Sequence, residues 1–232
     1  MLGQLGFSWG LFIGSMLTGW WLGHRRVLTE ERANRLLRCA VKWLSPVVLC
    51  LSFWALKMTG SGLVSLPIVG ARICLAALGP AWGYARWAGL TRPQTGSFLT
   101  CAMFSNVGYI GAFIAFAFFG ESGYGLGVWY LIYFSPLFYL VGMTVAKRFG
   151  QSTAASTSAS PFSDELRLRA FLGMALGLLL NITKCPRPEI LGAINHVFIP
   201  VDTAIHLMAI GSQIRLEPPT QSWRHGVAMS AI

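Results

Sequence analysis

The sequence predicts an all-α integral membrane protein of about seven transmembrane helices, and three observations predict it. Only 11% of the 232 residues are charged while 54% are hydrophobic, against about 25% charged in a soluble domain. The apolar residues fall in long blocks of the kind a bilayer-crossing helix needs, rather than at the spacing of one helix face. The basic residues collect in alternate connecting segments, as Lys and Arg do on the cytoplasmic side of a membrane.

The blocks are justified in turn. Leu5–Gly23 lacks a basic start and a small-residue cleavage site, so it reads as a retained helix and not a signal peptide. Ala40–Leu56 follows the Arg-rich segment His24–Lys42. Leu63–Ala85 carries Pro67, Pro80 and an intramembrane Arg72. Phe98–Phe119 holds Asn106, Gly108 and Gly111, and Tyr124–Ala146 holds Pro136. Pro67, Pro80 and Pro136 are expected to kink their helices. Ala170–Ile182 is short unless it extends back to Leu166; its Gly173 and Gly177 form a small-xxx-small pair suited to helix packing. Leu191–Gly211 carries Pro200 early. Trp20, Trp21, Trp43, Trp87 and Trp129 lie near block ends and read as interface anchors.

Net charge is +10. Fourteen of the 18 Lys and Arg residues fall in the odd-numbered connections and after the seventh block; Lys57, Lys184 and Arg187 fall on the other side. This asymmetry places the N-terminus outside and accounts for the positive charge by topology, which removes the case for nucleic acid. The Ser/Thr/Ala-rich segment Gln151–Glu165 reads as a disordered cytoplasmic linker. Cys39, Cys50, Cys74, Cys101 and Cys185 show no metal-ligand spacing and read as small packing residues. No phosphate loop or nucleophile–base set stands out, so the sequence points to no enzyme, cofactor or metal. The "NIT" sequon at Asn181 lies too close to a membrane edge to be modified readily.

A weak internal echo crosses the linker. Pro46 and Pro200 each precede an apolar run, and "FIGSMLTGWWLG" resembles "FLGMALGLLL". Five crossings per half would turn a second copy upside down, the inverted-repeat plan of secondary transporters. On that plan Trp223–Ile232 reads as the entry to an eighth helix of a chain cut short.

Four groups of residues are candidates for chemistry. Asn106, Gly108 and Gly111 put a neutral amide and two helix-weakening residues inside an apolar block. They suit either a helix interruption lining a wet cavity or a glycine packing seam. Arg72 either attracts an anion or snorkels and pairs for structure. Asp202 and His206, four apart, share a helix face. They read either as a proton-coupling pair or as a polar contact beside the Pro200 kink. An Arg72–Asp202 pair is a further option.

"NVGYIGAF" (Asn106–Phe113) resembles the N-x-G-x-x-G-x-P crossover segment of the auxin efflux carrier family, the PIN-like carriers. Pro200 with "AIHLMAIGSQIRL" is similar to that family's seventh helix. The resemblance implies ten helices in two inverted repeats, with broken crossing helices four and nine, and transport of small organic anions such as carboxylates by alternating access. It implies that 1–58 and 169–216 form a scaffold that dimerises through helices two and seven, and that 59–147 belongs to a moving transport unit. Residues 148–168 are then the linker and 217–232 the start of helix eight. Phe113 stands where the family usually has proline, which makes a milder break in helix four the expectation. A bile acid:sodium symporter-like carrier and a non-transporting scaffold are the rival readings.

Overall fold

A computed structural model describes residues 2–56, 62–104, 110–149 and 165–214; the side chains of 2, 4, 5, 62, 64 and 165–167 are outside the description. Every element among these residues is helical: α1 (Leu2–His24), α2 (Glu30–Cys39), α3 (Ser45–Trp54), α4 (Gly62–Ala76), α5 (Leu78–Trp87), α6 (Arg92–Met103), α7 (Ala112–Tyr130), α8 (Phe134–Leu137), α9 (Met143–Phe149), α10 (Glu165–Ile182) and α11 (Glu189–Ser212). Four runs are long and apolar enough to cross a membrane: Glu30–Trp54, Ser65–Trp87, Ala112–Phe149 and Glu189–Ser212. The apolar stretch of α10, Leu168–Ile182, is shorter, as its sequence suggests. The segment expected as a loop at His24–Lys42 is mostly α2, which continues through a π-turn (Ala40–Leu44) into α3. Of the expected linker 148–168, residues 148–149 end α9 and 165–168 begin α10, so these are helical; 150–164, like the expected tail 217–232, lie outside the described residues.

The interior prolines explain the irregular turns. A proline has no N–H to give to the carbonyl four residues earlier. Pro46 deprives Lys42, inside the π-turn. Pro80 deprives Ala76, where α4 ends before the turn at Ala77. Pro136 deprives Ile132, inside the 3₁₀ turn Leu131–Tyr133. Pro67 deprives Leu63 within α4, and there the indole N–H of Trp129 donates to the Leu63 carbonyl at 2.7 Å.

The chain clusters into two units, one of residues 1–58, 107–128 and 162–215 and one of 59–106, 129–161 and 216–232. In the first, glycines let helices touch at the backbone. A Cβ on Gly19 would collide with the Met208 carbonyl and one on Gly23 with that of Ser212, joining α1 to α11. A Cβ on Gly173 would collide with the Pro46 carbonyl and one on Gly177 with that of Cys50, joining α10 to α3. The packing role read for Gly173 and Gly177 is therefore what the structure contains. The core of this unit is Val48, Ala112, Phe113, Phe116, Tyr124 and Ile199.

The end of α3 shows how completely its carbonyls are met. Asn181 on α10 places its amide nitrogen 3.1, 2.8 and 2.7 Å from the carbonyls of Phe53, Trp54 and Leu56. Ser122 donates to that of Ala55 at 3.3 Å. The last carbonyls of a helix lack the N–H four residues on; that of Phe53 also accepts from the Leu56 N–H at 3.3 Å, and the amide of the sequon asparagine caps the group.

In the second unit α6 opens with a reciprocal capping box between Thr91 and Gln94. Its core is Ala81, Ala85, Phe98 and Leu99. The methyl-free surface of Gly142 admits the ring of Phe104, which also meets Phe134 and Phe138 edge-on at 5.2 Å.

Substituting a seam glycine forces two backbones apart. Gly19→Leu and Gly173→Leu should each destabilise the protein by about 1–3 kcal/mol or more. Gly14→Leu, where a Cβ meets nothing within 4 Å, should be near neutral; thermal unfolding of the purified protein in detergent measures the difference.

Candidate functional site

The fourth apolar block is interrupted. α6 ends at Met103, and Phe104 leaves helical geometry at φ −112°, ψ 84°. The next described residues, Ile110 and Gly111, are already helical, a π-turn that runs into α7 at Ala112. Asn106 and Gly108 lie outside the described residues; Gly111 is half-buried and immediately precedes α7. The break frees the last carbonyls of α6. One of them, Met103, accepts a hydrogen bond from the buried Cys74 thiol at 3.0 Å. Phe113, standing where the resembling family has proline, is buried in the core of the first unit.

α7 is itself a hairpin. Gly120 sits at φ 65°, ψ −151°, a region in essence reserved for glycine. Beyond it the chain folds back: a Cβ on Gly123 would strike the carbonyl of Ala115, and one on Gly127 would lie 2.7 Å from the Cα of Ala112. In a straight helix Ala112 and Gly127 would be about 22 Å apart. The second arm packs on α3, where Gly125 approaches the Ser52 carbonyl.

A polar cluster holds this turn, and it is the set of residues that sequence reasoning missed. Arg187, between α10 and α11, donates from both terminal nitrogens to Glu121 at 2.8 and 2.6 Å. Asn195 of α11 donates to Glu121 and, at 3.0 Å, to Ser52. Asn195 and Ser52 are fully buried; the Glu121 and Arg187 side chains are 11% and 17% exposed. Among the described residues Arg187 Nε and Asn195 Oδ1, both buried, have no hydrogen-bond partner. A signal existed: Glu121 is the one acidic residue between Glu31 and Asp164, and it follows a glycine on the side assigned to Arg187.

Beside the turn lies a cavity of about 590 Å³ among α1, the first arm of α7 and α11, lined by Ser8, Leu11, Phe116, Gly120, His196 and Pro200 with neighbouring apolar residues. Its size is that of a small-molecule site. The His196 ring lies 5.3 Å from that of Phe116. Pro200 removes the donor that the His196 carbonyl would have in an unbroken helix.

Asp202 and His206 do come together and are both buried. Ser45 donates to the Asp202 carboxylate at 2.9 Å. His206 Nδ1 lies 2.7 Å from the backbone carbonyl of Asp202 and 3.8 Å from its carboxylate. A carbonyl only accepts, so Nδ1 carries a proton. The pair ties α11 to the start of α3. Arg72 is exposed on α4 next to exposed Ile68, Val69 and Ile73. It belongs to the second unit and Asp202 to the first, and the described contact of the Asp202 carboxylate beyond its own helix is Ser45. Among the described residues no group of three or more His, Cys, Asp or Glu could hold a metal ion.

No protein-family model matches this sequence, and no curated protein or solved structure matches it.

Two substitutions test the turn. Gly120→Ala should cost about 1–3 kcal/mol through backbone strain, whereas Gly79→Ala, in open space within α5, should not destabilise. Glu121→Ala should cost about 3 kcal/mol by leaving the Arg187 guanidinium unpaired, and adding Arg187→Met should recover much of that loss. Thermal unfolding of the single and double variants in detergent reads both effects.

Proposed function

We propose that this chain is a multi-pass membrane protein of the cell membrane, its N-terminus outside, and that it works as a secondary carrier of small organic anions. The observation that carries the reading is the end of α6 at Met103 and the departure of Phe104 from helical geometry inside an apolar block. Main-chain groups freed within a bilayer survive only where protein buries them or a wet cavity receives them. The first arm of α7 then turns the partly positive end of a helix toward the interruption, which favours a carboxylate. In this reading Asn106, Gly108 and Gly111 meet the substrate. The exposed apolar setting of Arg72 favours a snorkelling role over a direct one.

A second observation supports the inverted-repeat plan. Two glycines four apart on α1 meet residues four apart on α11, and two glycines four apart on α10 meet residues four apart on α3. Exchanging first and second helices between halves turns one seam into the other. In that register Pro46 answers to Met208, eight residues beyond Pro200, so the two prolines are not equivalent positions of the seam. The exposed Val47, Val197 and Val201 on α3 and α11 offer a face for a second copy.

The chemistry needed is modest. A carrier forms no covalent bond; it holds the anion at the interruption and exposes it to each side in turn. The buried Asp202–His206 pair and the Glu121 cluster fix helix to helix within the first unit, and the segment after Phe104 is the proposed place of binding.

The test is uptake of radiolabelled small mono- and dicarboxylates into proteoliposomes containing the full chain. We expect saturable uptake that falls at least about tenfold in Asn106→Ala, the loss of one substrate hydrogen bond to a charged group. Uptake indistinguishable from protein-free vesicles would contradict the carrier reading and leave the scaffold reading. Uptake that requires sodium would favour the bile acid:sodium symporter-like alternative.

A further inference from the structure

α2 gives the first unit a surface rich in arginine. α2 is a short two-faced helix. Ala33 is fully buried, Leu36 and Leu37 are half-buried, and the opposite face is exposed. On that face Glu31, Asn34, Arg35 and Arg38, spaced to lie along one side of a helix, line a concavity of about 330 Å³.

The neighbouring cations are already engaged. Arg32 donates to the Val27 carbonyl at 2.8 Å. Arg25 lies over the Trp21 ring at 5.6 Å, and Lys42 and Arg169, from two different elements, lie over Trp43 at 5.6 and 5.7 Å. Trp21 and Trp43 are themselves 51% and 63% exposed. Arg35 and Arg38 are different: both are exposed into the concavity, without an ion pair or ring contact among the described residues.

We propose that this concavity binds the phosphate of an anionic phospholipid headgroup, with Arg35 and Arg38 as its ligands and Asn34 as an added donor. Two planar guanidiniums one turn apart suit a phosphate diester better than a diffuse positive surface does. Glu31 is the opposing charge, and it selects for a ligand that both arginines can hold at once. The exposed tryptophans carrying cations mark the depth at which headgroups lie. A lipid, rather than free phosphate, is the source because α2, which carries the concavity, follows Trp21 of α1 and precedes Trp43 in the chain, between apolar helices. The proposal rests on the membrane reading above.

The experiment measures the unfolding midpoint of the full chain in neutral detergent while dioctanoyl phosphatidylglycerol, dioctanoyl phosphatidylcholine or inorganic phosphate is titrated in. Phosphatidylglycerol should raise the midpoint, and the other two should not at equal concentration. Arg35→Gln with Arg38→Gln should leave the lipid-free midpoint unchanged, both side chains being exposed, and raise the concentration for half-maximal stabilisation at least about tenfold. Lys147→Gln with Arg148→Gln, the same loss of charge on α9, should retain the wild-type response. A response surviving in the α2 variant, or lost equally in the α9 variant, would overturn the site. Equal stabilisation by inorganic phosphate would overturn the lipid assignment. Membrane integration is read separately by resistance to alkaline carbonate extraction: a wild-type chain that washes out overturns the membrane reading and the site with it, whereas retention with no phosphatidylglycerol response overturns the site alone.

Discussion

A carbonyl released from its helix inside an apolar chain favours a donor that meets it, and three places among the described residues show this. Pro67 releases Leu63, and Trp129 answers. α6 stops and releases Met103, and Cys74 answers. α3 stops at a row of carbonyls from Phe53 to Leu56; the two amide hydrogens of Asn181 are shared among those of Phe53, Trp54 and Leu56, and Ser122 meets that of Ala55. In an apolar setting each unanswered group would cost about 1–3 kcal/mol or more. The polar side chains of this chain are few, and several of them sit where a backbone group would otherwise be stranded.

The same economy explains the glycines. With few polar contacts to specify which helix meets which, close approach does it instead. Gly19 and Gly23 admit α11, and Gly173 and Gly177 admit α3, at distances that any side chain would block. Close approach adds dispersion contacts over the whole seam, the main attraction between helices where water supplies none. Gly120 does something else: its torsions make a reversal, and the Glu121–Arg187–Asn195 cluster then holds the reversed arm.

Much of the helical architecture was legible because composition and block length speak directly to it. The prolines were legible as sites of disturbance, since a missing N–H acts locally. The small pair Gly173 and Gly177 was legible for the same reason. What was not legible depends on partners far away in sequence. Glu121 and Arg187 are 66 residues apart; the isolation of Glu121 and the side it shares with Arg187 hint at the pair without specifying it. The reversal at Gly120 falls between the blocks that end at Phe119 and begin at Tyr124, so its place was legible, but the torsion that makes it was not, Gly120 being one glycine among 26. The Arg-rich stretch read as loop because charge masked its helical period, although Ala33, Leu36 and Leu37 mark its buried side.

The account as a whole turns on whether water reaches the interruption after Phe104. Single cysteines placed from Phe98 to Phe119 in a cysteine-free full chain, reconstituted in vesicles and treated with a membrane-impermeant thiol reagent, measure this directly. The account predicts labelling at Asn106 and Gly108 and protection at Leu99 and Phe113, which are buried. Protection of every position from Ser105 to Gly111, in vesicles where an exposed loop cysteine labels fully, would contradict it.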